Sequence, residues 1–233
     1  MKVFLFLFAG CLCLSSAAQE KQVFVLNPGQ KIFDVLTFGD VFHYPEFKTG
    51  IVYYRDGRVG SSKMDYNLLT GEMQFLQPSG DTASLADEAT IKLITIDSDK
   101  FIYNTNGKVY LQVKDTANKV FLLKKESITF SDTKKISSFG QPIIAAADQI
   151  TGWSAHGQIY NLTANERTDL LKESEFYFGD ENGKLFPAAR RNISKMFGKY
   201  KDDIESYSKA EQISFDKEAD LKKFFSYIKT LNK

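Results

Sequence analysis

Chemistry needs ionisable or nucleophilic side chains in a usable arrangement, and this chain offers few. Its 233 residues contain two histidines and two cysteines. His43 stands in the run His43-Tyr44-Pro45 with no second base or ligand near it in sequence, the pattern of a packed or loop residue. His156 follows Ser154, and Asp148 lies a little upstream, so the members of a nucleophile–base–acid set are present. Residues two apart do share a strand face. No Gly-x-Ser-x-Gly elbow or oxyanion motif accompanies them, however, and a hydrolase needs those positioning parts. Trp153, the only tryptophan, lies beside a glycine and reads as core or interface before it reads as a ligand platform. Asp97 and Asp99 open like a calcium loop, but the later oxygen ligands and the required glycine are missing, which leaves a solvated turn. A phosphate-binding loop and His-Glu-x-x-His are also absent. No catalytic residue, metal ligand or cofactor is therefore assigned. With 29 Asp and Glu available, a glycosidase built on two acids remains the enzymatic alternative.

Both cysteines fall in a stretch read as an export leader. Lys2 precedes an apolar run from Val3 to Leu14, and Ser15-Ser16-Ala17-Ala18 supplies small residues for cleavage after Ala18. The run is too short to span a bilayer, so the mature chain is expected to have no transmembrane segment. A lipobox-like Phe8-Ala9-Gly10-Cys11 offers a minor alternative, acylation at Cys11, but leaves only Val3 to Phe8 as the apolar core. Cleavage removes Cys11 and Cys13, so 2 − 2 = 0 thiols remain for disulfides, catalysis or metal binding. Lys2 is the only charge lost, giving 30 − 1 = 29 basic against 29 acidic residues. A neutral mature chain has no overall field to draw it to nucleic acid.

The clearest structural pattern is Thr49 to Leu76. Asp56-Gly57 between two β-rich runs predicts a two-residue type I′ turn, pairing Tyr54 with Val59 and Tyr53 with Gly60. Leu69-Thr70-Gly71 predicts a second reversal into Glu72 to Leu76, which Pro78-Ser79-Gly80 ends. Upstream, Val23 to Leu26 is broken by Asn27-Pro28-Gly29, and Ile32 to Phe38 reads as a further strand. Downstream, Thr90 to Ile96, Phe101 to Tyr103, Lys108 to Lys114, Val120 to Lys124 and Ser127 to Phe130 follow as strands. Turns at Asp97 to Lys100, Asn106-Gly107 and Asp115 to Lys119 divide them. Lys134 to Gly157 is irregular. Gln158 to Leu162, Glu175 to Phe178 and Lys184 to Phe186 resume the pattern. The expected fold is mainly β (α+β), an antiparallel meander forming a sandwich or partly closed barrel over residues 19–186.

From Pro187 the apolar period changes. Ile193, Met196, Phe197, Tyr200, Ile204 and Tyr207 fall on one helical face, with Pro187 in the first turn. Asp216 is placed to cap a second helix striped by Leu221, Phe224, Phe225, Ile228 and Leu231. Both polar faces carry mixed charge and not the basic face of an interfacial helix, so residues 187–233 are read as a helical pair packed on the β domain.

Four segments carry a resemblance: FKTGIVYYRDGRVGSSKMDYNLLTGEMQFL, SSFGQPIIAAADQI, FYFGDENGKLFPAARRNISKMFGKY and ISFDKEADLKKFFSYI. In that order they resemble a family of uncharacterised exported proteins of Bacteroidota-type bacteria. The resemblance spans most of the mature chain. It implies a periplasmic or outer-envelope location and brings no activity, cofactor or catalytic residue. Asp81-Thr82-Ala83 and Asp115-Thr116-Ala117 resemble the O-glycosylation acceptor of such bacteria. Asn161-Leu162-Thr163 and Asn192-Ile193-Ser194 match the N-glycosylation pattern, which means little in a bacterial-type protein. The reading is an exported, non-catalytic binding or structural protein whose partner is an envelope protein or a glycan. A secreted interaction module using the helical tail is the further alternative.

Overall fold

The computed structural model describes residues 21–117, 119–131, 150–151, 163–164 and 167–231. The segment read as an export leader with Cys11 and Cys13, the set Asp148, Trp153, Ser154 and His156, the strand expected over Gln158 to Leu162, and Asn161 lie outside them.

Thirteen strands occur among the described residues. The first five are β1 (Gln22–Leu26), β2 (Lys48–Tyr54), β3 (Val59–Asn67), β4 (Glu72–Leu76) and β5 (Thr82–Ser84). Then follow β6 (Ile91–Ile96), β7 (Asp99–Asn104), β8 (Val109–Ala117) and β9 (Val120–Ser131). The last are β10 (Ile150–Thr151), β11 (Thr163–Ala164), β12 (Thr168–Gly179) and β13 (Leu185–Pro187). Eleven of them form one antiparallel sheet in the order β1-β12-β9-β8-β7-β6-β2-β3-β4-β5, with β13 also on β12. β10 and β11 pair separately. The antiparallel β class is the one expected, and the sheet is open rather than a sandwich or a closed barrel. The Ile128 N–H of β9 donates to the Leu68 carbonyl at the end of β3 over 2.8 Å, joining strands that are distant in the sheet order.

Curling places an apolar core on one face. Val52, Ile94, Phe101 and Tyr110 project into it from successive strands, and Ile32, Leu36 and Val41 cover it from the N-terminal turns. Those turns replace the strand expected over Ile32 to Phe38. They comprise a 3₁₀ turn at Ile32–Asp34 and a short helix α1 (Phe38–Val41). Asp34 accepts the Lys31 N–H and Asp40 the Thr37 N–H, both at 2.8 Å, and these reciprocal caps favour helical turns over extension.

A second core lies between the sheet and the C-terminal helices α2 (Ile193–Phe197), α3 (Lys201–Ala210) and α4 (Glu218–Thr230). Phe224, Phe225, Leu221 and Ile228 of α4 are fully buried there against Leu122 of β9 and Phe178 of β12. The tail differs from its sequence reading in three details. Pro187 pairs with Tyr177 as the last residue of β13 and does not start a helix. The helix expected across Ile193 to Tyr207 breaks at Gly198, whose combination of φ +50° with ψ −114° suits glycine alone. The N-cap of α4 is Lys217, so Asp216 does not cap it; Asp220 reaches back instead to accept the Ser214 N–H at 3.0 Å.

Two turns are also corrected. Tyr53 pairs with Val59 and Val52 with Gly60, one residue off the type I′ register. The Tyr54 N–H donates to Arg58 O, so the loop has three residues with Gly57 alone at positive φ. The cause is local: Asp56 accepts the Arg58 N–H at 3.0 Å and its Nε at 2.7 Å, holding Asp56 out of the left-handed region. Gly60 does leave room for a ring, but Tyr54 uses it, not Tyr53. Asp115 to Ala117 stay in β8, with Ala117 opposite Val120, because a bulge between Val113 and Asp115 turns the strand end towards the helical core.

Candidate functional site

Strand β9 runs beneath both cores on one face. Val120 and Leu122 enter the helical core, Ile128 enters the other, and Lys124 and Glu126 occupy the same face between them. This short polar strip gathers titratable groups that their polarity alone would assign to water. Glu126 Oε2 lies 2.5 Å from His43 Nδ1, and its other oxygen accepts from Lys124 Nζ at 2.7 Å. Lys124 and Lys114 approach Glu218 at 3.7 and 3.1 Å, and Lys222 meets it from the next turn of α4 at 2.8 Å. The strip thus alternates in sign from Lys222 on α4 across the sheet to Glu126, which meets the His43 ring. Burial alone would raise the Glu126 carboxyl; the His43 bond and the Lys124 ammonium outweigh it and hold it at about 2. The Glu218 carboxyl is likewise lowered, its lysine partners outweighing burial.

Beyond His43 the network reaches a buried acid. Asp65 Oδ1 accepts the backbone N–H groups of Tyr66 at 2.7 Å and Tyr44 at 3.2 Å, while its Oδ2 is buried without a hydrogen-bond partner. Burial dominates these bonds and pushes the Asp65 carboxyl up to about 6. The segment from Val41 to Tyr44 lies across the end of β3: Phe42 bridges Asn67 and the His43 N–H donates to Tyr66 O. That covering segment is why Met64 to Asn67 are buried on both faces of the strand.

The strip's members are engaged with one another, so it fastens the helical layer and the N-terminal segment to the sheet. His43, read as a partnerless loop residue, is its centre. Its partner lies 83 residues away, beyond the reach of local spacing. The turn expected over Asp97 to Lys100 is confined to Asp97 and Ser98, with β7 starting at Asp99. Both aspartates also contribute: Asp99 accepts the Tyr44 hydroxyl at 2.7 Å and sits 3.9 Å from His43 Nε2, and Asp97 pairs with Lys48 at 2.6 Å. No group of three or more His, Cys, Asp or Glu among the described residues is arranged to hold a metal. Asn192 is buried and donates to Pro187 O, which removes it as a glycan acceptor, whereas Thr116 is exposed on β8 and Thr82 half-exposed on β5.

A cleft of about 530 Å³ opens elsewhere, on the opposite face of β7 and β9. Ile102, Phe121, Leu123 and Leu185 form its floor. Its walls are two turns, Thr105 and Asn106 after β7 and Asp180 to Gly183 after β12. Asn104 ties them together, its Nδ2 donating to Gly183 O at 3.1 Å while its Oδ1 accepts the Gly107 N–H at 2.7 Å. Gly179 lets the floor close up: a Cβ there would meet Leu123 Cδ1 at 2.6 Å. An apolar floor with a few polar groups at the rim is the usual composition of a small-ligand site. The cleft was not legible beforehand, because its walls come from turns some 79 residues apart.

No protein-family model matches the chain, and no curated protein or solved structure matches it either. No helix among the described residues is long and apolar enough to cross a membrane.

Proposed function

We propose that this is an exported, non-catalytic binding protein of the bacterial envelope that holds a glycan in the cleft beside β7 and β9. The observation that carries the reading is the separation of chemistry from space. The titratable strip is consumed by its own ion pairs, whereas the open volume has an apolar floor under a rim of amides, hydroxyls and a few charged side chains. Sugars fit such a site, because a pyranose presents C–H faces to an apolar floor and hydroxyls to a polar rim. A two-acid glycosidase needs carboxylates on opposite sides of the scissile bond. The acids lining this cleft, Asp180 and Glu181, are neighbours on one turn, and both are already engaged. The helical tail is a weaker candidate for the contact surface, since the apolar stripe of α4 is spent in the core. Export is supported by the leader pattern at Lys2 to Ala18.

The test is retention of envelope oligosaccharides on immobilised mature protein, beside a Thr105→Trp variant that fills the cleft from an exposed turn. Retention by the parent and loss in the variant is the expected result. Equal retention by both, or none by either, overturns the reading. Release of shortened sugars would put the glycosidase in its place.

A further inference from the structure

Resting on the glycan reading of this cleft, we infer that its ligand is acidic, a saccharide bearing carboxylates, and that Arg55 and Lys92 receive the charge. Four ionised side chains line the cleft, and their commitments differ by sign. Glu181 is paired with Lys119 at 3.4 Å, and Asp180 Oδ1 accepts the N–H groups of Asn182 and Lys184, both at 2.9 Å. The acids are thus satisfied. The cations are not. Arg55 donates through Nε to the Ala89 carbonyl at 3.1 Å and meets no carboxylate among the described residues. Lys92 is exposed and has no hydrogen bond or ion pair among them.

Backbone irregularity places both cations. The pairing of β2 with β6 shifts register between Tyr53 and Tyr54, opposite Leu93 and Ile91, so Lys92 is the extra residue of a bulge. A bulge re-aims a side chain, and here it leaves Lys92 exposed between buried Ile91 and half-buried Leu93. Arg55 follows directly on β2, and its backbone N–H is held by the Thr90 carbonyl at 2.8 Å. In the sheet order these cations sit on the β6–β2 side of the cleft and the hydrogen-bonded or paired acids on the β12 side. Free positive charge therefore lies at one end of an apolar floor. A guanidinium is suited to a carboxylate, which it can engage with two parallel N–H donors, and a nearby ammonium adds a point charge.

Titration calorimetry on the mature protein tests this, with trisaccharides of galacturonate, mannuronate and guluronate and their carboxyl-reduced, neutral counterparts. The expected result is that at least one uronic trisaccharide binds about tenfold more tightly than its reduced form in low salt, an advantage that shrinks in about 300 mM NaCl. Arg55→Gln/Lys92→Gln should abolish that preference at an unchanged melting temperature, and Lys92→Gln alone, at an exposed unpaired site, should weaken it. Equal binding of acidic and neutral sugars, unaffected by the double variant, overturns the inference while leaving glycan binding in place. Binding of neither overturns the glycan reading as well.

Discussion

Asp65→Asn should make this protein more stable near neutral pH and leave it nearly unchanged in mild acid. The carboxyl is fully buried, accepts two backbone N–H groups through one oxygen, and leaves the other without a partner. Burial raises it from an ordinary 3.8 to about 6. Because the folded value is the higher one, the fold favours the protonated acid. Its contribution is fully present below 3.8 and is lost as pH rises through about 6. That gap corresponds to about 2–3 kcal/mol once the group is ionised in both states. Asparagine keeps an acceptor for the two backbone donors and cannot ionise, although its amide N–H then takes the place of the orphaned oxygen. Urea unfolding of parent and variant from pH 4.5 to 7.5 reads the effect as a difference that grows with pH. The variant should gain about 2 kcal/mol relative to the parent across that range. Parallel stability curves would refute the reasoning, since an acid that does not titrate between those limits is not held as described.

Two further perturbations probe the strip and the sheet. Glu126→Gln should cost about 1–3 kcal/mol at neutral pH, where the carboxylate is paired with His43 and Lys124. Because Glu126 is depressed from 4.5 to about 2, the parent loses this stability as pH falls through that window, so acid unfolding curves of parent and variant should converge below pH 4.5. A constant offset down to the lowest pH would count against the pairing. Gly50→Ala should destabilise by about 1–3 kcal/mol, because the new Cβ would stand 2.6 Å from Met64 Sδ and 2.9 Å from Ile96 Cγ1. Gly60→Ala on the neighbouring strand, with nothing nearer than 3.8 Å, should cost far less, and equal melting temperatures for the two variants would show that the approach at Gly50 is not tight.

The fold was more legible than the site, for a physical reason. Strand boundaries follow from neighbours: Glu72–Leu76 lies where alternation and its flanking turns place it, and Asp180 to Gly183 turns the chain as read. Errors arose where a side chain overrides the backbone preference of its own turn. Asp56 captures Arg58 and lengthens the first hairpin loop, and the caps of Asp34 and Asp40 convert an apparent strand into helical turns. Functional geometry is of longer range. Lys124 and Glu126 in the run VFLLKKESITF carry the local pattern of a solvated strand face, and only the arrival of His43 and α4 from distant parts of the chain half-buries them. The same holds for Asp65, whose burial depends on Val41 to Tyr44 folding across its strand. Lys92 gave one usable local hint, a lone cation in the apolar run TIKLITI, but its exposure depends on the bulge opposite β2.

The most direct measurement of the account is amide chemical-shift mapping of the mature protein titrated with the oligosaccharide it retains. Perturbations should concentrate at Tyr103 to Asn106, Asp180 to Leu185 and around Arg55 and Lys92, the walls and charged end of the cleft. Shifts centred instead on His43 and Glu126, or on the exposed faces of α3 and α4, would contradict it.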